Sequence, residues 1–175
     1  MFAAGVAGEI WQYDGTMWSL LDPGGVTPTF VDIWFPTPNE PYFLAGSTIR
    51  HYDGTSWATV PTTTPGLDLY SAIWGTGPND FFVVGSSTNG TTPIAHFTGT
   101  WETTTLDGDR LLTIWGTAGN DVFAAAPGAI YHYDTVWTKM MTPSTVTPIV
   151  GLHGSSGDDV FAVGEGGEIW HYTGN

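Results

Sequence analysis

Four histidines stand at one position of a repeated motif: His51, His96, His132 and His171 each follow an Ile by two residues and precede a Tyr or Phe. Imidazole is a metal ligand and an acid–base group, so the set invites a metal-site reading. Equivalent positions on successive copies of one unit do not converge on a single ion, however, and the reading adopted is hydrogen bonding inside each copy. Carboxylates recur in the same way. Asp80, Asp121 and Asp159 follow Gly-Pro-Asn, Gly-Asn and Gly-Asp and are expected to brace a turn through side-chain to backbone bonds. Asp14, Asp53 and Asp134 are expected to do the same two strands later, ahead of Trp18, Trp57 and Trp137. Calcium is the one cofactor considered, around Asp158 and Asp159 or around Asp107 and Asp109, although neither pair has the spacing of a dedicated calcium loop.

Aromatic residues form a second set. Trp34, Trp74 and Trp115 close equivalent apolar segments, with His153 in the fourth copy. Their rings could stack on sugar rings or pack between repeats. Departures from the repeat mark candidates of another kind. Asp32 stands where the other copies have Ala72, Thr113 and Gly151, Glu40 precedes Pro41, and Arg50 and Arg110 are two of only three cations. The candidate ligand-binding set is therefore Trp34, Trp74, Trp115, His153, Asp32 and Arg50, with no catalytic residue and no metal ligand assigned. No Gly-x-Ser-x-Gly elbow, phosphate loop or His-Glu-x-x-His motif is present.

The elements that must position these residues are short strands. Phe2–Gly5, Phe43–Gly46, Phe82–Gly85, Phe123–Ala126 and Phe161–Gly164 align as five copies of one strand. Segments beginning at Ile10, Ile49, Ile94, Ile130 and Ile169 make five copies of a second. A Trp at 18, 57, 101 and 137 opens a third, and the segments ending at Trp34, Trp74, Trp115 and His153 make a fourth. Ile33, Ile73, Ile114 and Leu152 are spaced by 40, 41 and 38 residues. A unit of about 40 residues with four strands and turn residues at each junction is the pattern of a β-propeller blade. The expected fold is all-β, a single domain over residues 1–175 made of four-stranded antiparallel blades. With the Ile-Trp segment as strand a, the Phe-led segment as b, the Ile-x-His segment as c and the segment opened by Trp as d, the order b-c-d, three full a-b-c-d units, then a-b-c gives eighteen strands. That favours five blades with incomplete ends; four blades, or a larger ring completed by a second chain, are the alternatives. Met1 falls inside a repeat, which suggests an excised piece of a longer protein.

Composition bounds the function. Seventeen acidic residues against three basic ones give a net charge of −14, which repels phosphate backbones and anionic lipid. Nucleic-acid binding is therefore not expected. Membrane insertion is not expected either, since no apolar run approaches the roughly 20 residues that span a bilayer. The absence of Cys removes disulfides and thiolate metal sites.

The pattern Ile-Trp-Gly-x-x-x-x-Asp-Val-Phe-Ala-Val-Gly, then Ile-x-His-Tyr-Asp-Gly-x-x-Trp, resembles propeller repeats of surface and secreted proteins of myxobacteria and their relatives. It is carried best by Ile73, Trp74, Gly75, Asp80, Phe82, Gly85, His51, Tyr52, Asp53, Gly54 and Trp57. More distantly it is similar to Asp-box and photosystem-assembly propellers, without the Ser or Thr that opens a full Asp-box. The resemblance implies a propeller and an extracellular or cell-surface location. The function expected is a non-catalytic binding or scaffold module presenting loops and the channel mouth to a protein or glycan partner. A lectin, or a glycosidase-like enzyme using Asp32 or Glu40, is the alternative. Open blade edges make a homo-oligomer an expectation as well.

Overall fold

The computed structural model describes residues 1–5, 7–21, 29–62, 64, 66–108, 110–140 and 147–174. The described residues form strands, turns and loops with no helix, so none contains a helix that could cross a membrane. The first sheet holds β1 (Phe2–Ala4), β2 (Ile10–Tyr13) and β3 (Trp18–Leu21). The second holds β4 (Phe30–Trp34), β5 (Tyr42–Ala45), β6 (Thr48–Tyr52) and β7 (Trp57–Val60). The third is β8 (Leu69–Gly77), β9 (Asp80–Ser86), β10 (Thr92–Phe97) and β11 (Trp101–Leu106). The fourth is β12 (Thr113–Ala118), β13 (Asp121–Ala126), β14 (Ala129–Tyr133) and β15 (Trp137–Met140). The last is β16 (Ile149–Ser156), β17 (Asp159–Gly164) and β18 (Ile169–Tyr172). Every pairing is antiparallel between chain neighbours.

Local chemistry sets the turns. Asp14 Oδ1 accepts the N–H groups of Thr16 (2.7 Å) and Met17 (2.9 Å), and Asp53 Oδ1 does the same for Thr55 and Ser56 at 2.8 and 2.7 Å. The next residue, Gly15 or Gly54, lies at φ 109° or 92°, a backbone conformation open to glycine at little steric cost. Side chains alternate across each strand, so one strand feeds two cores. Phe81 and Val83 bury against the second sheet with Tyr42, Leu44 and Ile49, while Phe82 and Val84 bury against the fourth with Ile114, Val122 and Ala124. Four such clusters occupy the four gaps between successive sheets. A fully buried side chain like Phe82 contributes about 1.5–3 kcal/mol, and only the neighbouring sheet can supply that burial.

The first strands β4, β8, β12 and β16 pack one on the next. Backbone bonds tie the sheets there: Tyr70 N–H donates to Gly46 O (2.8 Å) and Leu111 N–H to Gly85 O (3.1 Å). Register breaks place bulges at Val31, Ser71 and Val150. The end sheets each keep one uncovered face, with Trp11 40% and Leu20 61% exposed on the first, and Phe161 42%, Val163 41% and Ile169 70% exposed on the last.

Pairing corrects one alignment. His96, His132 and His171 lie opposite Phe82, Phe123 and Phe161, but His51 lies opposite Tyr42, not Phe43. Phe43 instead fills the gap to the first sheet beside Phe2 and Ile10. A run of four apolar residues reads the same when slipped by one, and only the burial of alternate faces fixes its register.

Candidate functional site

Each of the last three sheets carries one constellation. Asp80 Oδ1 meets His96 Nε2 at 2.8 Å while its Oδ2 accepts the Thr76 hydroxyl at 2.5 Å. Asp121 joins His132 (2.8 Å) and Thr117, and Asp159 joins His171 (2.6 Å) and Ser155 (2.5 Å). The hydroxyl sits four residues before the acid, at the start of the same turn. The histidines bond inside their own sheets, whereas the aspartates brace the turn through side chains and not through backbone N–H groups. Imidazole faces stack on Phe82, Phe123 and Phe161 with centroids 3.7, 4.3 and 4.0 Å apart.

Hydroxyl, carboxylate and imidazole are the components of a hydrolytic triad, but the order is wrong for one. In a triad the imidazole lies between the other two and takes the hydroxyl proton. Here the carboxylate lies in the middle, so the imidazole has no access to the hydroxyl. The arrangement is a clasp joining the first, second and third strands of a sheet. For Asp80, burial is the largest influence and pushes its pKa up, yet the Thr76 hydroxyl and His96 together hold it below the ordinary value. Asp159 is lowered by the Ser155 hydroxyl and then by His171.

The candidate residues from the sequence are scattered. Asp32, on β4, accepts N–H from Ile33 (2.8 Å) and, across the gap, from Ile73 (2.9 Å). Burial raises its pKa against both bonds. Opposite it lies Leu44, whereas Glu40 precedes β5. Trp74 and Trp115 lean onto the next sheet, where a Cβ on Gly116 or Gly154 would lie 2.8 or 2.9 Å from a ring carbon. Trp34 packs on Tyr42 and on Phe81 of the next sheet, with centroids 5.4 and 5.6 Å apart. His153, exposed, faces Trp115 at 5.6 Å. Arg50 is on β6, away from the first strands, its guanidinium 5.7 Å from the Trp57 ring centroid. Of the calcium pairs, Asp109 lies outside the described residues, Asp159 is engaged in its clasp, and among the described residues no cluster of three metal-ligating side chains occurs.

A groove that sequence patterns did not reveal opens where the first strands begin. It has a volume of about 290 Å3 and is lined by Val31, Gly46, Leu69, Tyr70, Ser71, Arg110 and Leu112. Val31 and Leu69 are half exposed there, at 49% and 52%. Arg110 was visible as a rare cation, but Leu69 was not, because β8 starts earlier than the equivalent strands.

No protein-family model matches the chain, and no curated protein matches it. Solved structures do. YCF48 bound to a D1 peptide superimposes with a TM-score of 0.72 at 14% identity, covering 99% of this chain and 60% of that one. YCF48 from Cyanidioschyzon merolae gives 0.70 at 14%, covering 98% and 65%, and a streptogramin B lyase 0.70 at 15%, covering 95% and 62%. The chain thus spans under two thirds of the length of each. These neighbours are β-propellers, and the all-β antiparallel sheets of this chain share that fold.

Proposed function

We propose that this chain is a non-catalytic binding module of a bacterial propeller protein, its five sheets being five blades of which the first and last are incomplete. Its partner is a protein segment that places an aliphatic side chain beside a carboxylate. The observation that carries this reading is the groove at Val31, Leu69 and Arg110, which combines exposed apolar walls with a cation on a chain of net charge −14. The binding of a D1 peptide by the YCF48 neighbour supports a peptide partner. Propeller repeats of the surface and secreted type motivate an extracellular or cell-surface location. Panning a random-peptide display library on the protein tests the reading. The expected ligands pair Leu, Ile or Val with Asp or Glu, and Arg110→Ala weakens them at least tenfold. Ligands without an acidic residue, or equal binding by the variant, would contradict it.

The glycosidase reading gains no support from Asp32, whose two carboxylate oxygens each accept a backbone N–H. Self-association has a specific support: the two uncovered end faces. Trp11 and Leu20 on one, and Phe161, Val163 and Ile169 on the other, are the kind of face that every inner sheet buries. A light-scattering series showing only monomer at high concentration would remove that reading.

A further inference from the structure

Two residues that break the repeat converge on one crevice between the third and fourth sheets. Two residues after the third strand's final Tyr or Phe, or its equivalent, the copies have Gly15, Gly54, Gly99 and Gly174, but the fourth sheet has Thr135. Thr135 keeps the glycine conformation, at φ 110°, and among the described residues no other non-glycine has positive φ. For a β-branched side chain this is a strained backbone, of the kind retained where a side chain is needed. The second departure is Glu102, where the equivalent residues after Trp18, Trp57 and Trp137 are Ser19, Ala58 and Thr138. Glu102 belongs to β11 and Thr135 to the next sheet, yet both line one cavity of about 210 Å3 with Thr104, Tyr133 and Trp137.

The walls are aromatic. Tyr133 and Trp137 lie 5.2 Å apart, and both meet Phe82 in T-shaped contacts at 5.4 and 5.9 Å. His96 also borders the cavity, but its Nε2 is held by Asp80. The lining contains no Lys or Arg. The equivalent crevice between the second and third sheets is lined by Val60, Pro61, Phe97, Gly99, Thr100 and Trp101, with neither the carboxylate nor the strained threonine.

We infer that the Glu102–Thr135 crevice is a binding site for an organic ammonium group, as carried by a lysine side chain or a quaternary amine. Tyr and Trp rings attract a cation through their π faces, Glu102 supplies the counter-charge, and the net charge of −14 adds a favourable field. The Thr104 and Thr135 hydroxyls accept hydrogen bonds from an ammonium that has N–H groups. An anion finds no Lys or Arg among the lining side chains and meets the Glu102 carboxylate instead. The site is separate from the Arg110 groove, so each stands or falls alone.

The test is a titration followed by the amide and indole N–H resonances of 15N-labelled protein, at constant ionic strength. The probes are n-butylammonium, choline, and methyl glucoside as a neutral polyol. Saturable shifts of Thr135 and the Trp137 indole with an ammonium probe, and none with the glucoside, are expected. Butylammonium binding more tightly points to a lysine side chain, and choline to a quaternary amine. Glu102→Gln, exposed and outside every core cluster, should weaken binding at least tenfold. Thr135→Gly restores the repeat residue; it should fold at least as stably and bind several-fold more weakly. Shifts that do not saturate, a glucoside response equal to that of the ammonium probes, or unchanged affinity in both variants would overturn the assignment.

Discussion

The second and third sheets have the same strands and the same stacked histidine, yet they are locked differently. In the third, His96 lies on Phe82 and is held by Asp80, itself held by Thr76. In the second, His51 lies on Tyr42 at 4.3 Å, with Glu40 in the place of the aspartate. His51 Nε2 and Thr37 Oγ1 are buried without a hydrogen-bond partner. Burial lowers the His51 pKa, against the opposing fields of Glu40 and Asp53. The difference teaches that ring stacking and the clasp are separable: the repeat can lose the clasp and keep the packing.

The comparison breaks hardest at a glycine. By strand pairing, Gly85 in the third sheet corresponds to Ala45 in the second and Ala126 in the fourth. A Cβ at Gly85 would run into the Leu69 carbonyl, because β8 begins before its counterparts. Gly85→Ala should therefore cost about 3 kcal/mol in chemical denaturation, although alanine is native at the matching sites. Next comes the clasp. Asp121→Ala should cost about 2 kcal/mol by orphaning His132 and Thr117, whereas Glu40→Ala should stay within about 0.5 kcal/mol. Similar losses for the two would erase the distinction between the sheets.

Phenylalanine in place of histidine sharpens it. His132→Phe discards a charge-assisted bond and should destabilise by about 1–2 kcal/mol, while His51→Phe removes an unpartnered buried nitrogen and should be neutral or stabilising by up to about 1 kcal/mol. The smallest effect is in pH. Asp14 is lowered to about 2 by the Met17 N–H, then the Thr16 hydroxyl and the Thr16 N–H. A depressed carboxylate stabilises the fold above its unfolded pKa near 4, and that contribution is lost as pH falls toward 2. Asp14→Asn should flatten the melting-temperature curve slightly between pH 4 and 2. Because burial lowers the His51 pKa, its contribution is constant above its unfolded pKa near 6.5 and stability declines as pH falls from there toward the lower folded value, where the buried imidazole must take up a proton. His51→Phe should remove this part of the decline between pH 7 and 5.

Much of this was legible in the sequence, because repetition exposes what packing demands. The Ile-Trp and Ile-x-His segments predict strands that β8, β10, β12 and β14 realise, and the Asp14 and Asp53 turns follow from Asp-Gly chemistry. The hydroxyl partners were also present as Thr76, Thr117 and Ser155, four residues before each aspartate, but spacing alone does not say which oxygen meets which donor. The grooves were not legible. Leu69, Glu102 and Thr135 acquire meaning only when neighbouring sheets bring them together, and no period in the chain encodes that juxtaposition.

The central claim is that repeat residues hold the sheets together while departures from the repeat bind. Titration of the display-selected peptide against Asp121→Ala and Arg110→Ala, at a temperature where both are folded, tests it most directly. The account predicts native affinity for Asp121→Ala and at least a tenfold loss for Arg110→Ala. The opposite pattern, or equal losses, would contradict it.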